Sequence, residues 1–170
     1  MSVIKHKDQR VAVFIDAQNL YHSAKNLYGH KHNNNNKVKD PIAIRKLIPA
    51  IAYVITSESR KKKGFFDALE KVGIEAKVKD LQIFNDGSKK ADWDVGLVVD
   101  AIKMAPKLDA IIIISGDGDF VPLIEYIQNA HGVQVEVASF GKSSSLRLKE
   151  AADEFFDLSI HSKKYLMGYR

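Results

Sequence analysis

The segment AIIIISGDGDF, residues 110–120, decides how the chain reads. Four consecutive isoleucines make it the most strand-like run in the sequence. A run that is apolar at every position suits a strand buried on both faces, as in the middle of a parallel sheet. A loop punctuated by glycine then carries two carboxylates, Asp117 and Asp119. A helix is predicted from about Phe120 to Ala130, stopped by Gly132. The stretch VAVFIDAQN, residues 11–19, repeats the plan: a buried strand over Val11–Ile15 runs straight into Asp16, with Asn19 three residues later.

Working outward, Gln18 to Tyr28 reads as a helix with Leu20, Ala24 and Leu27 on one face. GHKHNNNNKVKD, residues 29–40, is polar and without period, and reads as a mobile loop. Asp40 and Pro41 form a helix start, and that helix is predicted to end near Ile48. Residues 50–56 read as a second strand. A helix follows over Phe65–Val72, closed by Gly73. Residues 74–84 alternate and read as a third strand. A helix is expected over Ala91–Ala105, ended by Pro106, and a strand over VQVEVAS, residues 133–139. Leu146–Ala152 reads as a helix, and residues 155–160 as a short edge strand or tail. Strands alternating with helices imply an α/β fold, a mostly parallel sheet with helices on both faces. In such sheets ligands bind beyond the carboxyl ends of the strands, where the strand order reverses. The expectation is one domain over 1–170, with an N-terminal extension (1–10), the loop (29–40) and a C-terminal tail (159–170).

A chain of 170 residues suits one domain with a real core, and 45% hydrophobic with 28% charged residues is a soluble, globular profile. No run approaches the roughly 18 apolar residues that span a bilayer, so no membrane partner is expected. The apolar run before Asp16 is too short for a secretory signal, so a cytoplasmic location is expected. Cysteine is absent. That excludes disulfides, thiolate nucleophiles and zinc-thiolate sites, and leaves oxygen or imidazole to hold any metal. Lys and Arg number 26 against 21 Asp and Glu, a net charge of +5 that favours polyanions.

The loops after the strands hold the chemistry-bearing residues. Asp16 and Asn19 follow the first strand. Ser115, Asp117 and Asp119 follow the isoleucine run. Asp92 and Asp94 open the helix at 91, where Leu97, Val98 and Ala101 share a face with Asp94. Singly, Asp16, Asp92 and Asp119 each have a capping reading. Asp117 resists it, lying between two glycines with a second carboxylate two residues on. Glycine lets such a loop turn both carboxylates toward one point. If the two strands are neighbours, Asp16, Asp117 and Asp119 converge and Asp94 can reach them. Such a cluster repels itself, which is hard to explain as stability and natural for Mg²⁺ or Mn²⁺, which prefer oxygen ligands.

FIDAQNL, ADWDVGLVVDAIK and ISGDGDFVPLIEYI resemble, in order and spacing, the NYN family, also called LabA-like, of the PIN-like nuclease superfamily. The similarity runs from about residue 11 to 158, and its most specific piece is SGDGDF with the following Pro-Leu. The resemblance implies a PIN-like, Rossmannoid three-layer sandwich of about five strands in the order 3-2-1-4-5. It implies a metal-dependent ribonuclease acting on RNA, with products bearing a 5′-phosphate and a 3′-hydroxyl. It also implies a metal-binding and catalytic set of Asp16, Asp94, Asp117 and Asp119, with Asn19 as a polar neighbour. One departure is Asp92-Trp93, where the family often has Gly-Val.

Asn19 and Ser115 could hydrogen-bond metal waters or a phosphate oxygen, or simply make local turn bonds. The backbone of a nucleic acid needs cations. Arg60, Lys61, Lys62 and Lys63 follow the second strand, Lys89 and Lys90 precede Asp94, and Lys142 and Arg147 follow the fifth strand. Lys89 and Lys90 lie best placed. Trp93 and Tyr21 offer stacking surfaces or core packing. His22, His30, His32, His131 and His161 show no ligand spacing and read as non-catalytic. A homodimer is left open.

The second class of function is a non-catalytic RNA-binding or regulatory module with a metal-binding pocket. A third, an aspartyl phosphotransfer fold, leaves GDGDF unexplained, and its phosphatase form would need DxD where this chain has Asp16-Ala17-Gln18. No GxxxxGK[ST] motif is present, which excludes a P-loop enzyme.

Overall fold

The computed structural model describes residues 8–28, 47–56, 63–83, 89–90 and 93–166. The 29–40 loop, Arg60, Lys61, Lys62 and Asp92 lie outside the described residues.

Strand β1 (Val11–Asp16) is buried along its whole length, and β6 (Ala110–Ile114) beside it is nearly so. They pair in parallel from Val11 with Ala110 to Ile15 with Ile114. β2 (Leu47–Thr56) lies on the other side of β1, and β3 (Ile74–Asp80) beyond β2. β7 (Gln134–Ser139) and β8 (Glu154–Asp157) extend the β6 side. The sheet order is β3-β2-β1-β6-β7-β8, parallel throughout. This is the order 3-2-1-4-5 of a PIN-like sandwich, lengthened by a sixth strand at the edge. The order reverses between β1 and β6, so the switch point lies where Asp16 and the Ser115–Asp119 loop leave the sheet.

Helices cover both faces. On one, Leu97 and Ala101 of α3 (Asp94–Met104), Ile124 and Ile127 of α4 (Val121–His131) and Leu148 of α5 (Leu146–Ala151) pack on Phe14, Ile111 and Ile113. On the other, Leu20 and Ala24 of α1 (Ala17–Tyr28), Phe66 and Leu69 of α2 (Lys63–Lys71) and Tyr165 of α6 (Ser162–Tyr165) pack on Val13, Ile15 and Ala52. The fully buried Leu, Ile and Phe side chains among them contribute about 1.5–3 kcal/mol each. Gly132 ends α4 with φ +62°, a left-handed cap that only glycine adopts without strain.

Several boundaries differ from the sequence reading. The helix expected to reach Ile48 cannot do so, because β2 already begins at Leu47, paired with Val11. A neighbouring strand overrides local helical preference there. Pro49 has no N–H to give the ladder, and the β1–β2 register shifts between Val11 and Val13. The third strand ends at Asp80 rather than 84, where the Leu81 N–H donates to Thr56 O at 2.9 Å. The chain then forms a separate antiparallel pair, β4 (Gln82–Ile83) with β5 (Lys89–Lys90), so these two lysines lie in a short strand. The helix expected from Ala91 starts at Asp94, with Trp93 as its N-cap residue.

Candidate functional site

Asp16 ends β1 with only 9% of its surface exposed. Its Oδ1 accepts the Asn19 N–H at 3.0 Å, as a helix-capping carboxylate does, and its Oδ2 accepts the Ser115 hydroxyl at 3.0 Å. The second bond reaches across the switch point, which a cap has no need to do. Ser115 is fully buried, and its Oγ accepts the Asp117 N–H at 3.2 Å. Asn19 closes the circuit, its Oδ1 accepting the Gly116 N–H at 3.0 Å. The loops after β1 and β6 are thus laced into one unit. Gly116 admits no side chain, because a Cβ there would lie 2.9 Å from Ser139 Oγ and 3.1 Å from Ser143 O.

Burial pushes the Asp16 carboxyl above its ordinary range. The charge of Asp117 adds to this, and the bonds from Asn19 and Ser115 pull against it. The groups acting on Asp16 are hydrogen-bond donors and another carboxylate. An ionised Asp16 is therefore costly in the folded chain, and a cation would relieve it.

Asp16, Asp94 and Asp117 line a single open cleft of about 240 Å³ together with Asn19, Gln18 and His22 of α1, Tyr53 and Ile55 of β2, and Trp93. Three of the four aspartates singled out in the sequence thus share one cavity. Asp119 does not line it. That residue is exposed, within a 3₁₀ turn over Gly118–Phe120. The turn is capped by Asp117, whose Oδ1 accepts the Asp119 N–H at 3.0 Å, so the capping role read for Asp119 belongs to Asp117. Ser115 sits beneath the cleft rather than in its wall.

The wall beside Asp16, where Tyr53 of β2 is its register partner, is held by a network that sequence reading missed. Tyr53 Oη donates to Asp100 Oδ2 at 2.6 Å, and Lys77 Nζ pairs with the same oxygen at 2.6 Å. Burial pushes the Asp100 carboxyl up, but the bonds from Lys77 and Tyr53 and the lysine charge bring it below its ordinary range. Burial, then the Asp100 bond, push the Tyr53 phenol up, so it stays a neutral donor. Trp93 Nε1 donates to Lys77 O at 3.2 Å, and its ring meets Tyr53 edge-on at 5.8 Å. Gln18 was passed over, and His22, read as non-catalytic, lines the cleft. His22 lies three residues from Asn19 and four from Gln18 along α1, a usable signal, since residues three and four apart share a helix face. Tyr21, by contrast, is exposed and turned to the neighbouring His22 ring at 5.5 Å.

The oxygen donors of the cleft suit a hard cation such as Mg²⁺ or Mn²⁺. Among the described residues no three His, Asp or Glu side chains close into a ready cage. Mg²⁺ commonly keeps several waters and takes one or two protein carboxylates, so an open acidic cleft fits it. Of the cations predicted to meet phosphates, Lys142 and Arg147 are exposed beside the β7 loop, and Lys89 and Lys90 form β5. No helix among the described residues is long and apolar enough to cross a membrane.

The NYN domain model matches residues 10–159 of this chain. The low amplitude and bright protein LabA of Synechococcus elongatus is 28% identical over 166 residues, which is 90% of this chain and 86% of that protein. A crystal structure of VPA0982, a protein of unknown function from Vibrio parahaemolyticus, aligns with a TM-score of 0.78 at 30% identity, over 97% of this chain and all of the other.

Proposed function

This chain belongs to the NYN domain family, and from that premise we propose that it is a metal-dependent ribonuclease that hydrolyses phosphodiester bonds of single-stranded RNA in the acidic cleft. The observation that carries the reading is Asp16. A buried carboxylate, raised above its ordinary range and laced to Asn19 and Ser115, faces a cavity shared with Asp94 and Asp117. Stability alone gives no reason for that arrangement, and a cation site does.

Asp16, Asp94 and Asp117 would hold Mg²⁺ or Mn²⁺, while Asp119, exposed outside the cleft, would not ligate the ion directly. The ion would supply Lewis-acid polarisation of the phosphoryl oxygen and a more acidic bound water. The protein's own part is placement. Asn19 N–H and Ser115 Oγ–H fix both oxygens of Asp16. Asp117 is held by its own backbone bond to Ser115, so two carboxylates move as one body with the sheet. Gln18 and His22 face the cleft from α1 and are placed to bond phosphate oxygens. The Tyr53 hydroxyl is committed to Asp100, so Tyr53 shapes the wall without donating to substrate. Lys142, Arg147, Lys89, Lys90, Lys61 and Lys62 are the cations that would follow the RNA backbone.

The test is cleavage of end-labelled single-stranded RNA in Mg²⁺, Mn²⁺ or EDTA, beside Asp117→Asn. Cutting is expected with metal, absent in EDTA, and reduced about 100-fold or more in the variant. Cutting that survives in Asp117→Asn would place the chemistry elsewhere. Binding of RNA without any cutting would favour the non-catalytic regulatory module.

A further inference from the structure

The aromatic wall of the cleft has a property that the acidic site does not require. Trp93 sits beside Asp94 in sequence, lines the same cavity, and is only partly buried. Its ring is clamped. The Nε1–H is spent on Lys77 O at 3.2 Å, and Tyr53, itself fixed by Asp100, abuts its edge. Gly96 lies against it so closely that a Cβ there would come within 2.2 Å of two ring carbons. Glycine is therefore needed for the indole to rest on α3. Lys79 Nζ stands over the ring, 5.4 Å from its centroid. The only polar atom of the indole is already bonded, so what it offers the cleft is apolar ring carbon, with one face of the ring lying under a cation. Packing alone would not call for a side chain held from three sides at the rim of an acidic cavity.

Resting on the ribonuclease reading, we propose that Trp93 is a stacking platform for one unpaired base, on the nucleotide adjoining the phosphate seated at Asp16, Asp94 and Asp117. The base would take the place of the Lys79 ammonium on the ring, and the flexible lysine would pass to a neighbouring phosphate. Stacking on an indole is tolerant of base identity, because every base has a π face. A paired base is already stacked between its neighbours and hydrogen-bonded to its partner. The substrate class is therefore RNA with an unpaired nucleotide at the cut, recognised without strong sequence preference.

The chain holds one tryptophan, so its intrinsic fluorescence reports on this ring alone. The experiment titrates the intact protein with a short single-stranded oligoadenylate, with Ca²⁺, another oxygen-seeking cation, in place of Mg²⁺. Binding is followed separately by anisotropy of a labelled strand. The expected result is binding accompanied by quenching of the indole. An abasic strand of equal length should bind roughly tenfold or more weakly and leave the emission unchanged. The same oligoadenylate held in a duplex should also leave it unchanged. Trp93→Phe should keep most of the affinity, and Trp93→Ala should lose about tenfold or more. Tight binding without quenching, or equal affinity for the abasic strand, would overturn the platform and leave the ribonuclease reading standing. Failure of every strand to bind, together with no cutting in Mg²⁺ or Mn²⁺, would overturn both.

Discussion

Asp16 illustrates how a single side chain can serve a site at the expense of the fold. In an unfolded chain its carboxyl ionises in the ordinary range, whereas in the folded chain burial holds the proton to higher pH. Between those two values the folded state binds more protons than the unfolded one, so stability falls as pH rises. In metal-free buffer, thermal unfolding of the wild type should show this decline on the alkaline side of the carboxylate range. Asp16→Asn should flatten it while lowering cleavage about 100-fold or more. Identical pH profiles for the two proteins would mean that burial costs Asp16 nothing. Three of the carboxylates singled out in the sequence, Asp16, Asp94 and Asp117, line one cleft, and each sits where an element starts or stops. The sequence could not rank Asp117 against Asp119. Both follow a glycine in GDGD, and only the 3₁₀ turn over Gly118–Phe120 separates a residue of the cleft from one on the exposed side.

Among the elements, the loop after β7 shows how the edge of the sheet supports its centre. Asp157, the last residue of β8, accepts the Gly141 N–H at 2.8 Å and the Ser159 N–H at 2.7 Å. Burial pushes this carboxyl up, yet those bonds bring it below its ordinary range. Its contribution to stability is therefore present above the unfolded carboxylate range and lost as pH falls through the lower folded value. A Cβ on Gly141 would lie 2.2 Å from Asp157 Oδ2. Gly141→Ala should break this tie and cost about 1–3 kcal/mol in urea denaturation, with a smaller acid-side loss than the wild type. An unchanged midpoint would show that the loop is held by other contacts. β6 was readable because its continuous isoleucine run leaves few alternatives, and β1 and β7 because valines recur at alternate positions. The β4–β5 pair was not, since two-residue strands carry no period, and neither was the one-turn helix α6. The start of β2 was hidden for a different reason: its pairing partner, β1, lies far away in sequence.

For the molecule as a whole, the excess of cations becomes a matter of salt. If Lys142 and Arg147, both exposed by the β7 loop, follow the RNA backbone, each change to Ala should weaken binding uniformly across sequences. Each should also reduce the slope of log affinity against log salt by about 1. An unaltered slope would remove that loop from the path of the strand. The same scale explains why the Tyr53–Asp100–Lys77 network escaped notice. Its members lie 47 and 23 residues apart and meet only when β2, β3 and α3 are assembled. The bond from Ser115 to Asp16 spans 99 residues, as does the pairing of Arg10 with Asp109 at the other end of the same strands. There, hydrogen bonds from the Arg10 side chain and backbone hold the Asp109 carboxyl at about 2. This long-range closure has a consequence for biosynthesis. A chain leaving the ribosome displays Asp16 before it has any partner for β1 on the β6 side, which waits for Ala110–Ile114 to be made. The serines that wall in Gly116 come later still. A nascent chain that has not yet reached β6 therefore carries its first carboxylate without a cleft, which comes into being only when the central pair of strands closes.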